Sequence, residues 1–468
     1  MRAPPLSLAA RYAHRARRDY PPAQVESWPL SNAPWRGVQW SLTYVAFLWY
    51  IAVITTYHLP GAAAAMVVAL ISMFVSRDPL RFPPLLGWLA AFIAWAAVAY
   101  PVTRFPEVVQ ERLTDLAKVW LIVLVAANAL RTRAQIRFFV IFFLACFALY
   151  PLRGALVNYY LAGYALLGRA LWNFIYANPN DLASFALLQL SMVVGLLVTE
   201  RRKSWVWLAA LAGIVLLPLL ILMTQSRGGF TALIVFAVLL LGHRRRRPLV
   251  LIAAAGLAVS VALIAPTGVW TRVSGLSKAT NTENLEEVDP EGSAKQRFEI
   301  WKVAAKVIGD QPVLGVGVGA YVPAHTSYAR DEEFDPTARG ARDTHNTVLN
   351  VLAETGAPGL LLFFGLLLST IWKVERIRRA CRTRLPRAST QLLYLEFGLA
   401  AFLVAGIFAS LAYLAFLHIH LVLIWVAAEA CRQELALGRH TAVSGPTLGP
   451  GSSSGKRLRR NANAIDVG

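Results

Sequence analysis

One histidine, His345, stands where a long polar segment of the chain meets a long apolar run. An imidazole titrates near neutral pH, so a neutral histidine can act as a general base. The sequence predicts His345 as the first residue of a helix, where the positive end of the helix dipole disfavours the imidazolium form. His345 is therefore a candidate catalytic base for a substrate that lies between water and lipid. A purely structural histidine at a helix start is the alternative.

Polar residues on both sides of His345 are candidates to support it. Asp343 precedes it by two residues, and can either cap the helix or orient the imidazole. Downstream, Thr347, Asn350 and Glu354 share one face at helical spacing. Glu354 is predicted to lie within the membrane, where an ionisable side chain is costly and marks a candidate site.

The glycines and the proline that follow leave two helix arrangements open. Gly356, Pro358 and Gly359 all disfavour a continuous helix. Either the span begins near His345, or residues 345–355 form a separate short helix lying on the membrane and the span begins at residue 357.

A second candidate for chemistry is Arg227, which lies between two apolar runs in the segment Gln225–Phe230. It begins the next predicted helix, where free backbone N–H groups and the helix dipole favour an anion. Its guanidinium adds forked donors that suit phosphate. An interfacial arginine reaching towards water explains the position equally well. Gly228 and Gly229 indicate that the backbone closely approaches another group.

The elements that must position these residues are transmembrane helices. Of the 468 residues, 57% are hydrophobic and only 15% are charged, whereas about 25% of a soluble domain is charged. An all-α polytopic membrane protein is therefore predicted. The apolar runs long enough to cross a ~30 Å hydrocarbon core suggest about twelve spans, near residues 40–57, 60–76, 85–101, 115–130, 136–152, 181–199, 204–223, 228–242, 248–266, 348–372, 391–411 and 413–430.

The basic residues orient these spans. The first thirty residues contain no apolar segment typical of a signal peptide, so we expect the N-terminus to stay in the cytoplasm. That start places 31 of the 46 Lys and Arg on the cytoplasmic side, in agreement with the positive-inside rule. The net charge of +20 is thus interpreted as a topology signal and an attraction to membrane lipids. A nucleic-acid partner is not predicted.

Three regions follow from this topology. Residues 1–39 and 438–468 are predicted to be disordered cytoplasmic tails, because they lack hydrophobic periodicity. Residues 40–437 form the transmembrane domain, with a large helical outside loop at 267–344 between spans nine and ten. The other long outside segment, 153–180, is rich in aromatic residues. Such residues are typical of an interfacial belt, and a lip against which a lipid-linked glycan lies is the alternative.

The large outside loop contains two recognisable segments. Apolar side chains at helical spacing predict an amphipathic helix over Ala294–Ile308, with Arg297 on its flank. The glycine-rich segment 314–321 ends at Tyr321 and lacks both a Gly-Lys-Ser/Thr sequence and a preceding strand. We therefore interpret it as a turn packed near the site and not as a nucleotide loop. The acidic cluster 331–335 has no spacing typical of a metal loop, so neither a metal nor a cofactor is predicted.

Four segments of the second half of the chain form a pattern with a known counterpart. They are Ser226-Arg-Gly-Gly-Phe230, Arg297-Phe-Glu-Ile-Trp301, Pro312-Val-Leu-Gly-Val-Gly-Val-Gly-Ala-Tyr321, and His345-Asn346 with Glu354-Thr-Gly-Ala-Pro-Gly-Leu360. Together they resemble the O-antigen ligase and O-antigen polymerase superfamily, most closely an O-antigen ligase. The resemblance implies a metal-independent, inverting glycosyltransferase with a GT-C-like fold and a lateral cleft under a periplasmic loop. It also implies a multi-pass protein of the bacterial inner membrane whose site faces the periplasm, with both termini cytoplasmic.

The resemblance also implies roles for individual residues. Members of this superfamily take a glycan from undecaprenyl diphosphate and pass it to an acceptor hydroxyl. His345 matches the catalytic histidine that would activate the acceptor. Arg227 and Arg297 match the two arginines that contact the diphosphate. The residues expected to support this site are Tyr321, Asp343, Asn346 and Glu354.

Several acceptors fit the resemblance. A ligase uses the lipid A core, a polymerase uses another undecaprenyl-linked repeat, and a protein O-oligosaccharyltransferase uses serine or threonine. The large loop between spans nine and ten favours a ligase, whereas the turn Asn178-Pro-Asn-Asp181 and the basic N-terminus keep protein glycosylation open. A transporter or flippase for a lipid-linked sugar is the alternative from another class. The polar residues are concentrated in one large outside loop, which argues against a transporter, because transporters usually have two similar halves.

Overall fold

The computed structural model describes residues 33–166, 168–243 and 293–443. Within these ranges the chain is helical and contains no β-strand, so the all-α prediction is confirmed for this part of the protein. In chain order the α-helices are α1 Leu42–Thr56, α2 Ala62–Val75, α3 Pro84–Val98, α4 Pro106–Ala129, α5 Arg133–Phe147, α6 Arg153–Tyr160, α7 Pro179–Thr199, α8 Trp205–Met223, α9 Arg227–Gly242, α10 Ser293–Asp310, α11 Tyr321–Tyr328, α12 Thr347–Cys381, α13 Pro386–Ala405 and α14 Ala415–Val443.

Within the described ranges, six helical stretches are long and apolar enough to cross a membrane. They are Arg133–Tyr160, which joins α5 to α6 through a π-helical turn, then α7, α8, α12, α13 and the first part of α14. Helices α1, α2, α3 and α9 are apolar but shorter. The described chain is that of a polytopic membrane protein. The predicted span 248–266 and loop residues 267–292 lie outside the described residues, so the count of twelve spans stays a prediction.

The two tails also fall largely outside the described residues, which begin at 33 and end at 443. Helix α14 continues to Val443, past the predicted start of the C-terminal tail. The domain boundaries therefore stay predictions.

Helix α7 forms the inside of the bundle. Every residue from Leu182 to Thr199 is buried, as an all-round apolar helix requires. Helix α7 packs against α8 and α13, and α13 in turn packs against α9. Helix α12 packs against α3 and α14. The ends of α7, α9, α12 and α13 are thereby held in one rigid framework.

Polar side chains cap the N-termini of α7, α9 and α12. Asn178 caps α7 by accepting a hydrogen bond from the Asn180 backbone N–H at 2.9 Å. Ser226 caps α9 in the same way, accepting from Gly229 at 3.1 Å. Asn346 caps α12. These side chains satisfy backbone N–H groups that have no partner within the helix, and so fix where each helix starts.

Helix α12 is two helices joined at a break. Gly356 has φ 67° and ψ −175°, a backbone region open essentially to glycine alone. A Cβ at this position would lie 1.9 Å from the Val313 carbonyl oxygen. Of the two arrangements left open by the sequence, the structure therefore shows a short helix from Thr347 to Thr355, followed by a separate long one.

Candidate active site

His345 lies in the loop before α12, two residues ahead of the helix. Its φ of 48° is in the left-handed region, which is uncommon for a residue other than glycine. Asn346 caps the helix, because its Oδ1 accepts hydrogen bonds from Val348 at 2.9 Å and from Leu349 at 3.0 Å. The prediction that His345 opens the helix is therefore wrong. Its imidazole is 34% exposed and so can be reached from the solvent side.

The surroundings of His345 favour the neutral imidazole. Burial lowers its pKa below the usual 6.5, because a charged ring loses hydration. The Asp343 carboxylate opposes this effect and raises the pKa, whereas Arg297, Arg169 and Arg342 lower it further by repulsion. The neutral state expected from the sequence thus has a different cause, which is burial among positive charges and not a position in the helix.

Asp343 is placed to orient the imidazole. Its Oδ2 lies 3.8 Å from Nδ1 of His345, too long for a direct hydrogen bond. Its Oδ1 accepts a hydrogen bond from Ser410 Oγ at 3.0 Å. Because Asn346 takes the capping role, the orienting role is the one of the two predicted roles that fits Asp343.

The turn between α13 and α14 holds the loop that carries the histidine. The Thr347 backbone N–H donates to the Gly406 carbonyl at 2.7 Å, and the Thr347 hydroxyl donates to the Ala409 carbonyl at 2.7 Å. Asn346 Nδ2 donates to the Ile407 carbonyl at 3.1 Å. Asn346 thus caps α12 and anchors the loop to this turn, whereas its expected role in supporting the site stays a prediction. Nothing in the sequence of this turn predicted the contact.

Arg227 is the first residue of α9, as the sequence predicts. The close approach expected at the neighbouring glycine is also present, since a Cβ on Gly228 would lie 2.7 Å from the Cβ of Phe408. Phe408 belongs to the α13–α14 turn. The start of α9 therefore packs against the same turn that anchors the His345 loop.

Arg297 lies on α10, the amphipathic helix that the predicted topology places in the large outside loop. Four residues further along the same helix face, Trp301 donates from Nε1 to the Thr344 carbonyl at 2.9 Å. This hydrogen bond holds α10 against the residue that precedes His345. Arg297 is close enough for its charge to act on the imidazole, although the two residues are far apart in sequence.

Glu354 is a buried anchor for the glycine-rich loop. It is 3% exposed, and its Oε2 accepts from the Gly319 N–H at 2.8 Å. Its Oε1 accepts from the Tyr321 N–H and from Asn350 Nδ2, both at 3.2 Å. Tyr321 is itself fully buried and donates from its hydroxyl to the Ile300 carbonyl at 3.4 Å. Glu354 thus holds the glycine-rich loop and Tyr321 contacts α10, whereas the role expected of both residues in supporting the site stays a prediction.

The glycine-rich loop packs onto the break in α12. Gly315, Gly317 and Gly319 have φ values of 65°, 104° and 81°, which favour glycine. The Val316 N–H donates to the Ala353 carbonyl at 3.0 Å. The loop is thus a structural turn packed near the site, in agreement with the sequence interpretation.

Arg169 belongs to the same region, and sequence reasoning missed it. Its Nε donates to the Thr224 carbonyl and its Nη2 donates to Asn180 Oδ1, both at 2.9 Å. From the sequence, its segment is predicted to be an interfacial aromatic belt, with a lip for a lipid-linked glycan as the alternative. No local spacing marks Arg169, because its two partners lie 55 and 11 positions away in the chain.

No arrangement of ligands for a metal ion is found in the described ranges, where no three or more His, Cys, Asp or Glu side chains are grouped suitably. The acidic residues 331–335 are included in that statement.

The comparisons with known proteins point to one family. Residues 212–364 match the family model described as O-antigen ligase. This segment of the chain is similar to the O-antigen ligase family. The matched range contains Arg227, Arg297 and His345, so the resemblance to this superfamily is confirmed. Members of the family are glycosyltransferase-like enzymes with O-antigen ligase or polymerase activity. A comparison with curated proteins found no match.

Proposed function

We propose that this protein transfers an O-antigen glycan from undecaprenyl diphosphate to the lipid A core, at the periplasmic face of the bacterial inner membrane. One observation carries the proposal. A partly exposed His345, whose pKa is lowered by burial, lies beside Asp343 and within electrostatic reach of Arg297. All three residues fall within the part of the chain that matches the O-antigen ligase family.

The geometry supports an inverting displacement. Nδ1 of His345 faces Asp343, which leaves Nε2 to accept the proton of the acceptor hydroxyl. The freed oxygen attacks the anomeric carbon of the glycan, and the bond from that carbon to the diphosphate oxygen breaks. The leaving undecaprenyl diphosphate keeps the bonding electron pair. Arg227 and Arg297 would compensate its charge through forked hydrogen bonds, so the scheme needs no metal ion.

Substitution of the three proposed site residues tests the enzymatic role. We expect His345→Ala, Arg227→Ala and Arg297→Ala to leave folded protein in the membrane, and His345→Ala to lower transfer about 10²–10⁴-fold, because the general base is lost. The matched control is Arg330→Ala, at an exposed position of the large loop that also contains Arg297. This variant should transfer glycan at the normal rate. The measurement is the rate of glycan transfer by purified protein. Full transfer by purified His345→Ala protein would overturn the proposal, whereas no transfer by the unsubstituted protein would favour a flippase.

The acceptor is tested by competition. Purified protein is given one undecaprenyl-diphosphate-linked glycan together with lipid A core, a second undecaprenyl-linked repeat, or a peptide rich in serine and threonine. The proposal predicts that the glycan appears on the lipid A core. A ladder of longer repeats would reassign the protein as a polymerase, and a modified peptide would reassign it as a protein O-oligosaccharyltransferase.

A further inference from the structure

A clasp joins the outside segment before α7 to the turn between α8 and α9. Arg169 donates from Nε to the Thr224 carbonyl at 2.9 Å. The next residue continues the contact, since the Ala170 N–H donates to the Met223 carbonyl at 2.9 Å. The turn that leads into α9 is thus bound by both a side chain and the backbone of a distant segment.

The clasp acts on a residue with an uncommon backbone. Gln225 has φ 49°, in the left-handed region, so the surrounding contacts must hold it there. Its Nε2 donates to the Gly168 carbonyl at 2.7 Å, one residue before Arg169. Gln225 precedes Arg227 by two residues. The clasp therefore fixes the backbone that leads into α9, the helix that begins at Arg227.

The second hydrogen bond of Arg169 ties the clasp to the centre of the bundle. Its Nη2 donates to Asn180 Oδ1 at 2.9 Å, in the first turn of the buried helix α7. One planar guanidinium thus bridges α7 and the α8–α9 turn. Lysine cannot reproduce this bridge, because its ammonium is a point charge on a flexible stem and lacks a rigid fork of donors.

The charge of Arg169 also acts on His345. Four charged side chains act on the protonation of the imidazole. Asp343 favours protonation, whereas Arg297, Arg169 and Arg342 oppose it. Arg169 also binds the turn leading to Arg227.

We propose that Arg169 is a positioning residue of this site, which sets the α8–α9 turn for Arg227 and adds a positive charge that acts on His345. The proposal rests on the function proposed above for those two residues. It assigns Arg169 two separable contributions, because the hydrogen bonds require a guanidinium whereas the charge requires only a cation.

Two substitutions separate these contributions. Arg169→Lys keeps the charge and loses the fork, whereas Arg169→Gln loses both. We expect both variants to transfer glycan about 10–100-fold more slowly, because the phosphate arginine is displaced. Only Arg169→Gln should move the acid limb of the rate–pH profile to higher pH, since removing a positive charge eases protonation of His345. Arg153→Gln, exposed on α6, is the control and should match the unsubstituted protein in rate and profile.

A second measurement does not depend on glycan transfer. Diethylpyrocarbonate acylates neutral imidazole, so the pH dependence of His345 labelling, followed by peptide mass spectrometry, reports its protonation. The labelling midpoint should move to higher pH in Arg169→Gln and stay in place in Arg153→Gln. If it moves while no form of the protein transfers glycan, the proposed function fails and the electrostatic role of Arg169 stands.

Two results would overturn the inference. A wild-type labelling midpoint in Arg169→Gln removes the electrostatic role. A wild-type transfer rate in Arg169→Lys removes the positioning role, and this variant alone decides that question if Arg169→Gln fails to accumulate in the membrane. A purely structural arginine would lower the amount of folded protein in both variants and leave the pH profile of the remainder unchanged.

Discussion

The protonation state of the His345 imidazole depends more on the neighbouring side chains than on the position of His345 in the chain. Burial and three arginines oppose its protonation, and a single carboxylate at 3.8 Å favours it. A base that stays neutral can accept a proton without first losing one. The same positive surroundings suit an anionic leaving group. The same positive charges thus keep the base neutral and stabilise the leaving diphosphate in the proposed displacement.

The pH dependence of transfer follows from the lowered pKa of His345. The active form is the neutral one, so transfer should stay constant on mild acidification and fall only as pH drops through a midpoint below 6.5. Asp343→Asn removes the charge that raises this pKa, and should move the midpoint to still lower pH. Rates measured between about pH 5 and pH 8 bracket the ordinary histidine range. A midpoint at or above 6.5 in the unsubstituted protein would contradict the argument.

For individual residues, the sequence predicted the candidates for the site, but it did not predict the physical cause of their properties. His345, Arg227 and Asp343 stand out because their types and positions next to apolar runs are unusual. The neutral state of His345 was expected from a helix dipole, yet the helix begins after Asn346. Ser410 could not be predicted, because its hydrogen bond to Asp343 spans 67 positions of the chain.

Among the secondary-structure elements, the broken helix α12 shapes the site most directly. Its first segment follows His345, and its break receives the glycine-rich loop. The Ala357 N–H donates to the Pro312 carbonyl at 2.9 Å, beside the break. Glu354 secures the far end of the loop through the N–H groups of Gly319 and Tyr321. Helix and loop are therefore one interlocked unit.

Replacing the glycine at the break should disrupt the packing between α12 and the glycine-rich loop. Gly356→Ala places a Cβ against the Val313 carbonyl and forces a left-handed φ on alanine, at a cost of about 1–3 kcal/mol for the backbone alone. We expect a lower thermal unfolding midpoint in detergent.

The control for this prediction is Gly309→Ala. Gly309 is exposed in α10, and a Cβ there meets nothing within 4 Å. Alanine at this helical position should be neutral or stabilise by about 0.5–1 kcal/mol. Equal unfolding midpoints for the two variants would show that the break is not under the constraint described.

The sequence predicted the elements to the extent that they depend on hydropathy. The predicted runs in the described residues overlap helices, and α10 was correctly expected from apolar periodicity. Helix starts were less predictable because they depend on caps such as Asn178 and Asn346. The break at Gly356 was left as one of two arrangements, since only the packing of Val313 decides between them.

For the whole molecule, charge and hydropathy together suggest an orientation. A buried ion pair between Arg137 and Glu200, at 2.6 Å, joins the start of α5 to the residue that follows α7. The predicted topology puts that pair on the cytoplasmic side and His345 on the periplasmic side. The helices between them are among those able to cross a membrane.

Cysteine labelling tests this orientation. Asp331→Cys lies in the large outside loop and Thr383→Cys in the turn after α12, and both positions are exposed. The native Cys146, Cys381 and Cys431 are buried and should give little background. A membrane-impermeant maleimide added to spheroplasts should label the first variant at once, and the second only after permeabilisation. The reverse pattern would place His345 on the cytoplasmic side and remove the proposed function.

The hydrogen bonds from the His345 loop to the α13–α14 turn determine when the loop can adopt its structure during translation. Ribosomes make the chain from the N-terminus, so a nascent protein that has been completed only through α12 already contains His345, Arg227 and Arg297. It still lacks the carbonyl groups of residues 406, 407 and 409 and the hydroxyl of Ser410, which hold Asp343, Asn346 and Thr347. The hydrogen bonds that hold the histidine's loop can therefore form only after α13 and the turn that follows it have been translated.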